Sequence, residues 1–164
     1  MTKRLSIIVA VAGDYGIGYE NKLLAHISED LKRFKSVTKG HTVVMGRNTW
    51  FSLPKRPLPG RSNIVVTNIP EEVFEGAVMA YSIEEAIKLC PDNEESFIIG
   101  GAMVYKQFFP LAQKLYITHI INTFKADTFF PEIKNSEWDI ETESEIFKDT
   151  LSGLSYKYVN YVRR

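Results

Sequence analysis

The sequence is poor in cysteine, in histidine and in net charge, and each shortage excludes a class of protein. Cys90 is the only cysteine among 164 residues, so the chain forms neither an internal disulfide nor a thiolate metal site. The three histidines show no HExxH or similar spacing, so no metal site is predicted. Twenty basic and twenty acidic residues cancel, which leaves no positive field to hold nucleic acid or an anionic membrane.

A long hydrophobic run is also missing at the amino terminus. The apolar stretch at residues 5–12 is far shorter than the roughly 20 residues of a membrane span, and it is marginal even for an export signal. We therefore expect a buried first strand and a cytoplasmic protein. The 164 residues, of which 45% are apolar, suit a single domain spanning 1–164. A monomer is expected because no large apolar face remains unassigned.

Strand and helix patterns alternate along most of the chain. This alternation predicts an α/β fold with a central, mostly parallel sheet of about eight strands, an antiparallel C-terminal edge pair and about four flanking helices. Strands are predicted at 5–12, 41–45, 63–67, 77–80, 96–99, 114–121, 137–144 and 154–162, and helices at 28–38, 46–53, 82–89 and 102–109. Residues 13–26 are predicted to form a loop. Ligands of such sheets bind beyond the carboxyl ends of the strands.

Asp30 is the most informative residue of the chain. In a helix over 28–38, Asp30 lies on one side with the apolar residues Ile27, Phe34 and Val37. A carboxylate among apolar neighbours is costly unless it is paired, and no Lys or Arg of this helix clearly shares its face. This pattern indicates a ligand with a cationic or amide-like edge. The alternative is an acid of the first helical turn, favoured by the helix dipole behind Ser28 as N-cap, and periodicity leaves both open.

Two strand-glycine-helix junctions have the composition of phosphate sites. Gly100-Gly101 follows an apolar strand and opens a helix, and Met45-Gly46-Arg47-Asn48-Thr49 is a second such junction. Gly100-Gly101 is not the GxGxxG fingerprint and alone is equally consistent with a tight strand-to-helix turn, whereas the alternative at the second junction is a solvent-facing Arg47 beside a helix cap. Together they suggest a dinucleotide. Arg56 and Arg61 flank a proline-rich loop that could hold a guanidinium ready for a carboxylate, although ordinary surface arginines are the alternative.

Seven sequence blocks occur together in a fixed order and spacing. They are Ile17-Gly18-Tyr19-Glu20-Asn21, Asp30-Leu31-x-x-Phe34-Lys35, Val44-Met45-Gly46-Arg47-x-Thr49-Trp50, Arg56-Pro57-Leu58-Pro59-Gly60-Arg61, Ile99-Gly100-Gly101-x-x-Val104-Tyr105, Leu115-Tyr116-Ile117-Thr118-His119-Ile120 and Asp127-Thr128-x-Phe130-Pro131. With these blocks the sequence resembles the bacterial, chromosomal-type dihydrofolate reductases over nearly its whole length. The resemblance implies reduction of 7,8-dihydrofolate to tetrahydrofolate, with hydride transfer from NADPH to pterin C6 and protonation at N5.

The resemblance also implies a set of substrate residues. Asp30 would bind the pterin, Thr118 would support Asp30, and Tyr105 would lie beside the reacting centre. Arg61 would hold the α-carboxylate of the glutamate tail. The other implied contacts are the backbone carbonyls of Ile8 and Ile99, the walls formed by Phe34 and Leu53, Ala10 at the border with nicotinamide, and Lys35 and Arg56 near the tail. Diaminopyrimidine and pteridine antifolates are the implied inhibitors.

The implied cofactor residues surround NADPH. They are Ala10, Gly16, Ile17, Gly18, Tyr19, Glu20, Asn21 and Lys22 near nicotinamide and its ribose, Gly46, Asn48, Thr49, Gly100, Gly101, Ala102, Met103, Val104, Tyr105 and Gln107 along the pyrophosphate region, and Arg47, Thr67 and Asn68 around the 2′-phosphate. The resemblance further implies a cis peptide between Gly100 and Gly101 and a lid at residues 13–25.

The sequence departs from the family pattern at two places. Leu24-Ala25 stands where the family usually has Pro-Trp, which predicts a wider or wetter cavity. Met103 stands where many bacterial relatives have Arg, so preference for NADPH over NADH rests more on Arg47. Two other functions remain open: a catalytically silent folate- or nucleotide-binding module, and a same-fold reductase of a ribosylated pyrimidine. Arg61 in its proline-rich loop argues against the pyrimidine reductase.

Overall fold

The computed structural model describes residues 3–20 and 22–164, with Lys22 described by its backbone alone. Within these ranges the strands are β1 (Arg4–Val11), β2 (Gly16–Tyr19), β3 (Lys22–Leu23), β4 (Thr42–Gly46), β5 (Ser62–Val66), β6 (Val78–Ala80), β7 (Glu95–Gly100), β8 (Lys114–Ile120), β9 (Thr128–Phe129), β10 (Trp138–Glu143), β11 (Phe147–Lys148) and β12 (Ser155–Arg163). The helices in the same ranges are α1 (Ser28–Thr38), α2 (Arg47–Ser52), α3 (Ile83–Leu89) and α4 (Ala102–Phe108).

The central sheet has the predicted architecture. Among the described residues it contains nine strands in the order β10-β12-β8-β1-β7-β4-β5-β6, with β11 paired to β12. The six strands from β8 to β6 in this order run parallel. β12 is antiparallel to β8, and β10 is antiparallel to β12. The predicted antiparallel C-terminal pair is therefore confirmed, whereas the short strand β11 was not predicted.

Both faces of the sheet are covered, as the apolar character of β1 predicts. Ile7 and Val9 point into a cluster that contains Phe108 of α4, whereas Ile8 belongs to a second cluster, against which Phe34 of α1 packs. This alternation follows from the two-residue period of a strand. The helices consequently lie on both sides, and the sheet edge at the carboxyl ends of the parallel strands is bordered by their amino-terminal turns.

The start of α1 differs from the prediction in its cap. The helix begins at Ser28 as expected, but Ile27 occupies the N-cap position and no side chain caps the helix. Ile27 is 4% exposed and packs against Ile120 and Tyr156. The residue at the start of α1 is therefore fixed by burial of its apolar side chain and not by a hydroxyl that caps the helix.

The prediction of a loop at residues 13–26 was wrong in part. β2 and β3 from this segment form a three-stranded sheet with β9, in the order β3-β2-β9. The backbone N–H of Glu20 also donates to Asp127 Oδ2 at 2.9 Å. The segment has too many glycines for a strand pattern, and its pairing partner lies far along the chain, so local sequence did not reveal the sheet.

Within residues 3–20 and 22–164, no helix is long and apolar enough to cross a membrane. The same ranges contain no group of three or more His, Cys, Asp or Glu residues arranged to hold a metal ion.

Candidate active site

Asp30 and Thr118 meet where α1 crosses β8. The Thr118 hydroxyl donates to Asp30 Oδ1 at 2.5 Å, and Thr118 is itself buried at 3% exposure. Burial raises the pKa of Asp30, while the Thr118 hydrogen bond and the Arg33 charge oppose the rise. The carboxylate is therefore costly to ionise in the absence of a ligand.

Arg33 is the cation that the helical pattern did not place near Asp30. Its charge acts on the pKa of Asp30, but its guanidinium donates to Asn160 Oδ1 at 3.0 Å and lies 4.1 Å from the Tyr158 ring centroid. Among the described residues no Lys or Arg forms a salt bridge with Asp30. The acid is thus supported by a neutral hydroxyl and not by an ion pair.

Tyr105 connects α4 to the first strand. Its hydroxyl donates to the backbone carbonyl of Ile8 at 3.0 Å, and the side chain is 6% exposed. Burial raises the pKa of Tyr105, and the Asp30 charge raises it further, so the phenol stays neutral across the physiological range. The Ile8 carbonyl retains a second lone pair for another donor.

The apolar residues predicted to wall the substrate lie in one cluster. Phe34 and Leu53 pack, partly buried, against the cluster that contains Ile8, and so does Ile99, which was predicted to offer its backbone carbonyl. Ala10 packs against a neighbouring cluster together with Ala25, one of the residues that depart from the family pattern. α1, α2, β1 and β7 therefore bring these side chains to the same end of the sheet as Asp30.

Arg61 is held in place before any ligand is present. Its Nε donates to the Pro59 carbonyl at 2.9 Å and its Nη1 donates to Thr38 Oγ1 at 3.2 Å. Its guanidinium carbon lies 5.9 Å from the Phe34 ring centroid. Burial lowers the pKa of Arg61, although the group stays charged at neutral pH. These contacts place the guanidinium beside the predicted wall residue Phe34.

Asn63 is a supporting residue that sequence reasoning missed. It is 3% exposed, and its side chain accepts from the Leu58 N–H at 2.9 Å and donates to the Leu58 and Arg61 carbonyls, each at 3.1 Å. The amide thereby closes the proline-rich loop that carries Arg61. An Asn followed by an apolar strand gives no local signal of this role. Arg56 and Lys35 are exposed, and Arg56 lies 5.7 Å from the Phe51 ring centroid.

The two glycine junctions lie side by side. A Cβ at Gly46 would meet Val104 Cγ2 at 3.0 Å, and one at Gly101 would meet Thr49 Oγ1 at 3.5 Å. The peptide between Gly100 and Gly101 is cis, as the family resemblance implies, and Gly100 has φ +123°, a region that side chains rarely adopt. The amino ends of α2 and α4 therefore converge, as the dinucleotide hypothesis requires.

Arg47 is already paired with a carboxylate. Its Nε donates to Glu72 Oε2 at 2.8 Å, and the Thr67 hydroxyl donates to Glu72 Oε1 at 2.6 Å. The Thr67 bond, followed by the Arg47 bond, lowers the pKa of Glu72. Two of the three residues predicted for a 2′-phosphate, Arg47 and Thr67, thus lie together and bind an internal anion, whereas no contact of Asn68 with Glu72 is observed among the described residues. Glu72 carries no sequence signal and was missed.

The remaining predicted cofactor residues border this region. Asn48, Asn68, Gln107 and Met103 are exposed, Ala102 is half-buried at the start of α4, and Met103 is 68% exposed. β2 contains Gly16, Ile17, Gly18 and Tyr19, and Glu20 follows it. Asn21 and the Lys22 side chain lie outside the described residues.

The fold and these contacts together define a class of protein. A half-buried acid in the first turn of α1 occurs together with two phosphate-compatible junctions, which follow the carboxyl ends of the parallel strands β4 and β7. This is the arrangement of α/β domains that bind a nucleotide next to a small heterocyclic molecule.

Comparison with known proteins specifies the family. A family model described as dihydrofolate reductase matches residues 4–163. The chain is 38% identical to dihydrofolate reductase from Bacillus subtilis over 98% of this chain and 95% of the relative. It is 42% identical to the enzyme of that name from Neisseria meningitidis serogroup A, over 98% of both chains. A solved structure of dihydrofolate reductase from Enterococcus faecalis, complexed with NADP(H) and RAB-propyl, superimposes with a TM-score of 0.86 at 36% identity, covering 98% of this chain and 96% of that one. The chain belongs to the dihydrofolate reductase family.

Proposed function

We propose that this protein reduces 7,8-dihydrofolate to tetrahydrofolate with NADPH, and that Asp30 anchors the pterin. The observation that carries the proposal is the Asp30–Thr118 pair, which forms no salt bridge among the described side chains. Membership of the dihydrofolate reductase family supports the reaction. We also propose the roles of the other residues of the site.

Asp30 orients the substrate by pairing with its amidine-like edge. One oxygen accepts from Thr118, which leaves the remaining lone pairs of the carboxylate for the N3 and 2-amino donors of the pterin. Such a pair replaces the solvation that burial removes from the acid. Phe34, Leu53 and Ile99 exclude water from the flanks of the ring.

Proton delivery to N5 is assigned to water. Asp30 lies across the pterin from N5 when it holds N3 and the 2-amino group, so it favours the protonated pterin without donating directly. Tyr105 is held by the Ile8 carbonyl and keeps its proton, because burial raises its pKa. Asp30 and Tyr105 therefore position and polarise the pterin, and neither side chain gives its proton to N5.

The residues at the two junctions fit a dinucleotide. Arg47 and Thr67 hold a carboxylate in the structure, so this donor pair accepts an anion. Apart from its chain neighbours, Thr49 Oγ1 is the one described atom within 4 Å of where a Cβ at Gly101 would be, so the backbone there is accessible to a ligand. NADPH supplies the hydride when bound. Arg47, Thr67 and Asn68 would hold its 2′-phosphate, and Thr49 with Gly101 its pyrophosphate.

One assay tests the function. Oxidation of NADPH is measured with dihydrofolate, with and without a diaminopyrimidine antifolate. We expect dihydrofolate-dependent turnover that the antifolate abolishes. Tight antifolate binding without turnover would instead identify a silent binding module. Turnover only with a ribosylated pyrimidine would identify the related reductase.

The proposal extends to assembly and location. Residues 1–164 act as one domain, which the pairing of β8 with both β1 and β12 supports, since one sheet joins the two halves of the chain. A monomer in the cytoplasm, binding dihydrofolate and antifolates but neither nucleic acid nor membrane, is supported by the balanced charge and the single, buried cysteine.

A further inference from the structure

Glu72 is an internal anion at the donors assigned to the cofactor phosphate. Both of its carboxylate oxygens are used, one by Arg47 Nε at 2.8 Å and one by the Thr67 hydroxyl at 2.6 Å. The Glu72 side chain is only 13% exposed, whereas that of Arg47 is 42% exposed. The Glu72 carboxylate is therefore less exposed than the arginine that it binds, and two donors hold it in place.

The backbone holds Glu72 at this place. The Glu72 N–H donates to the Ile69 carbonyl at 3.3 Å, and the Tyr81 hydroxyl donates to the Glu72 carbonyl at 2.7 Å. The Ile69 N–H donates to Thr67 Oγ1 at 3.2 Å, so the turn is tied to the same hydroxyl that Glu72 binds. Glu72 lies five positions after Thr67, and this short turn returns the carboxylate to the end of β5.

A carboxylate and a phosphomonoester compete for the same donors. Both accept the planar N–H groups of arginine and the hydroxyl of threonine. Two anions on one guanidinium and one hydroxyl repel each other, so a phosphate that takes these donors must displace the carboxylate or bind beside it at reduced strength. The apparent dissociation constant then rises in inverse proportion to the fraction of protein in which the donors are free.

We propose that Glu72 determines cofactor specificity by occupying the Arg47–Thr67 anion position, and so weakens binding of a ligand with a 2′-phosphate relative to one without it. The inference rests on the proposed function for the identity of the cofactor. The Thr67 and Arg47 hydrogen bonds lower the pKa of Glu72, as expected of a carboxylate that holds both donors. Met103, which is exposed and uncharged, provides no second cation at the start of α4.

The test compares Glu72→Gln with Glu71→Gln. Glu71 is the adjacent acid, and no described residue forms a hydrogen bond or salt bridge with its carboxylate, so the control removes the same charge from the same turn. Dissociation constants are measured by calorimetry for two pairs of ligands, adenosine 2′,5′-bisphosphate with 5′-AMP, and NADP+ with NAD+.

We expect Glu72→Gln to tighten binding of the two 2′-phosphorylated ligands by roughly fivefold and to leave 5′-AMP and NAD+ unchanged. Glu71→Gln should move all four constants by less than about twofold, since an exposed charge is screened by water and salt. In an Arg47→Gln background the effect of Glu72→Gln should shrink to that of the control, because the competition acts through Arg47.

Three results would overturn the inference. Equal tightening by Glu71→Gln would indicate a general electrostatic field, and weaker binding of phosphorylated ligands by the Glu72→Gln variant would indicate that Glu72 positions Arg47 for the phosphate. No change in the dissociation constants of the Glu72→Gln variant would exclude any role of Glu72 in cofactor binding. These outcomes are distinct from failure of the proposed function, which is absence of NADPH-dependent turnover in the unaltered protein.

Discussion

The charged residues on the substrate side and on the cofactor side of the site have opposite electrostatic environments. Asp30 has a neutral hydroxyl as its close partner, and burial raises its pKa. Arg47 is neutralised by Glu72, and the bonds from Thr67 and Arg47 lower the pKa of that acid. Asp30 has no salt-bridge partner among the described side chains and is stabilised only in part by the Arg33 charge, whereas Arg47 is already paired.

The difference has an energetic consequence. An uncompensated, half-buried charge destabilises the ligand-free protein, and a complementary ligand removes this cost, so the ligand gains affinity. A compensated charge is stable without a ligand, and a ligand of like sign to the partner must compete for it. We therefore expect removal of Asp30 to cost more than removal of Arg47.

The largest expected effect follows from Asp30→Asn. We expect kcat/KM to fall by about 10²–10³-fold near neutral pH, because the substituted side chain no longer stabilises the protonated pterin. The loss should be smaller in acid, where solvent protonates the substrate in advance. Glu29→Gln, in the same turn of α1 but exposed, is the matched control and should retain activity. An equal loss at every pH would contradict the role given to Asp30.

Arg61→Leu sharpens the comparison between the two arginines. We expect KM for dihydrofolate to rise about 30-fold, because a preorganised guanidinium is lost to the glutamate carboxylate. A dihydropterin without a glutamate tail should be unaffected, which steady-state kinetics with both substrates would show. Arg56→Leu should have a smaller effect, since Arg56 is exposed and lies over Phe51. A similar loss for the tail-free substrate would mean that Arg61 acts only through the fold.

Arg47→Gln should have a smaller effect than Arg61→Leu. We expect NADPH to bind about tenfold more weakly and NADH to bind as before, because part of the Arg47 interaction is already used by Glu72. Fluorescence titration of both cofactors measures this. If the loss exceeded that of Arg61→Leu, the contrast between a compensated and an uncompensated site would be wrong.

The smallest expected effect is on stability. Burial raises the pKa of Asp30, so the unfolded chain ionises this group more readily than the folded protein does. The folded state is therefore destabilised once the pH rises above the unfolded pKa of about 3.9, and the full cost is reached above the folded pKa. Asp30→Asn should therefore raise the free energy of unfolding at pH 7 by roughly 1 kcal/mol, or about 3 °C in Tm.

That gain should vanish near pH 3, where both states carry a protonated acid. Thermal unfolding at the two pH values, with Glu29→Gln as the control, is the measurement. A gain of the same size at both pH values would indicate a packing effect instead of a charge effect.

Residues whose signal is local were predictable. The position of Asp30 could be predicted because a helix repeats every 3.6 residues, so the eleven residues of α1 are enough to show one acid on an apolar face. The strand-glycine-helix junctions at Gly46 and Gly100 could also be recognised from a few neighbouring residues. The structure brings the two junctions together through the pairing of β4 with β7. The roles of the individual site residues stay predictions until the variants are measured.

Residues whose partners are distant in sequence were not predictable. Glu72 is an acid in a polar turn, and nothing nearby indicates that it meets Arg47, 25 positions earlier. The β2–β9 pairing joins Gly16–Tyr19 to Thr128–Phe129. Asn63 differs, because its partners Leu58 and Arg61 are near in sequence, but the contacts depend on the direction of its side chain in the folded loop. Arg33 was misjudged because its direction depends on Tyr158 and Asn160 of β12.

The sequence by itself determined the alternation of strands and helices, the acid on the apolar face of α1 and the family, because hydrophobic period and block spacing are properties of neighbouring residues. Only the tertiary structure decided which charges are compensated, because compensation depends on the few ångströms between side chains that folding brings together. A neutral hydroxyl on β8 lies against Asp30 and a carboxylate from the turn after β5 lies against Arg47, so only the second of these charged residues has an ion-pair partner.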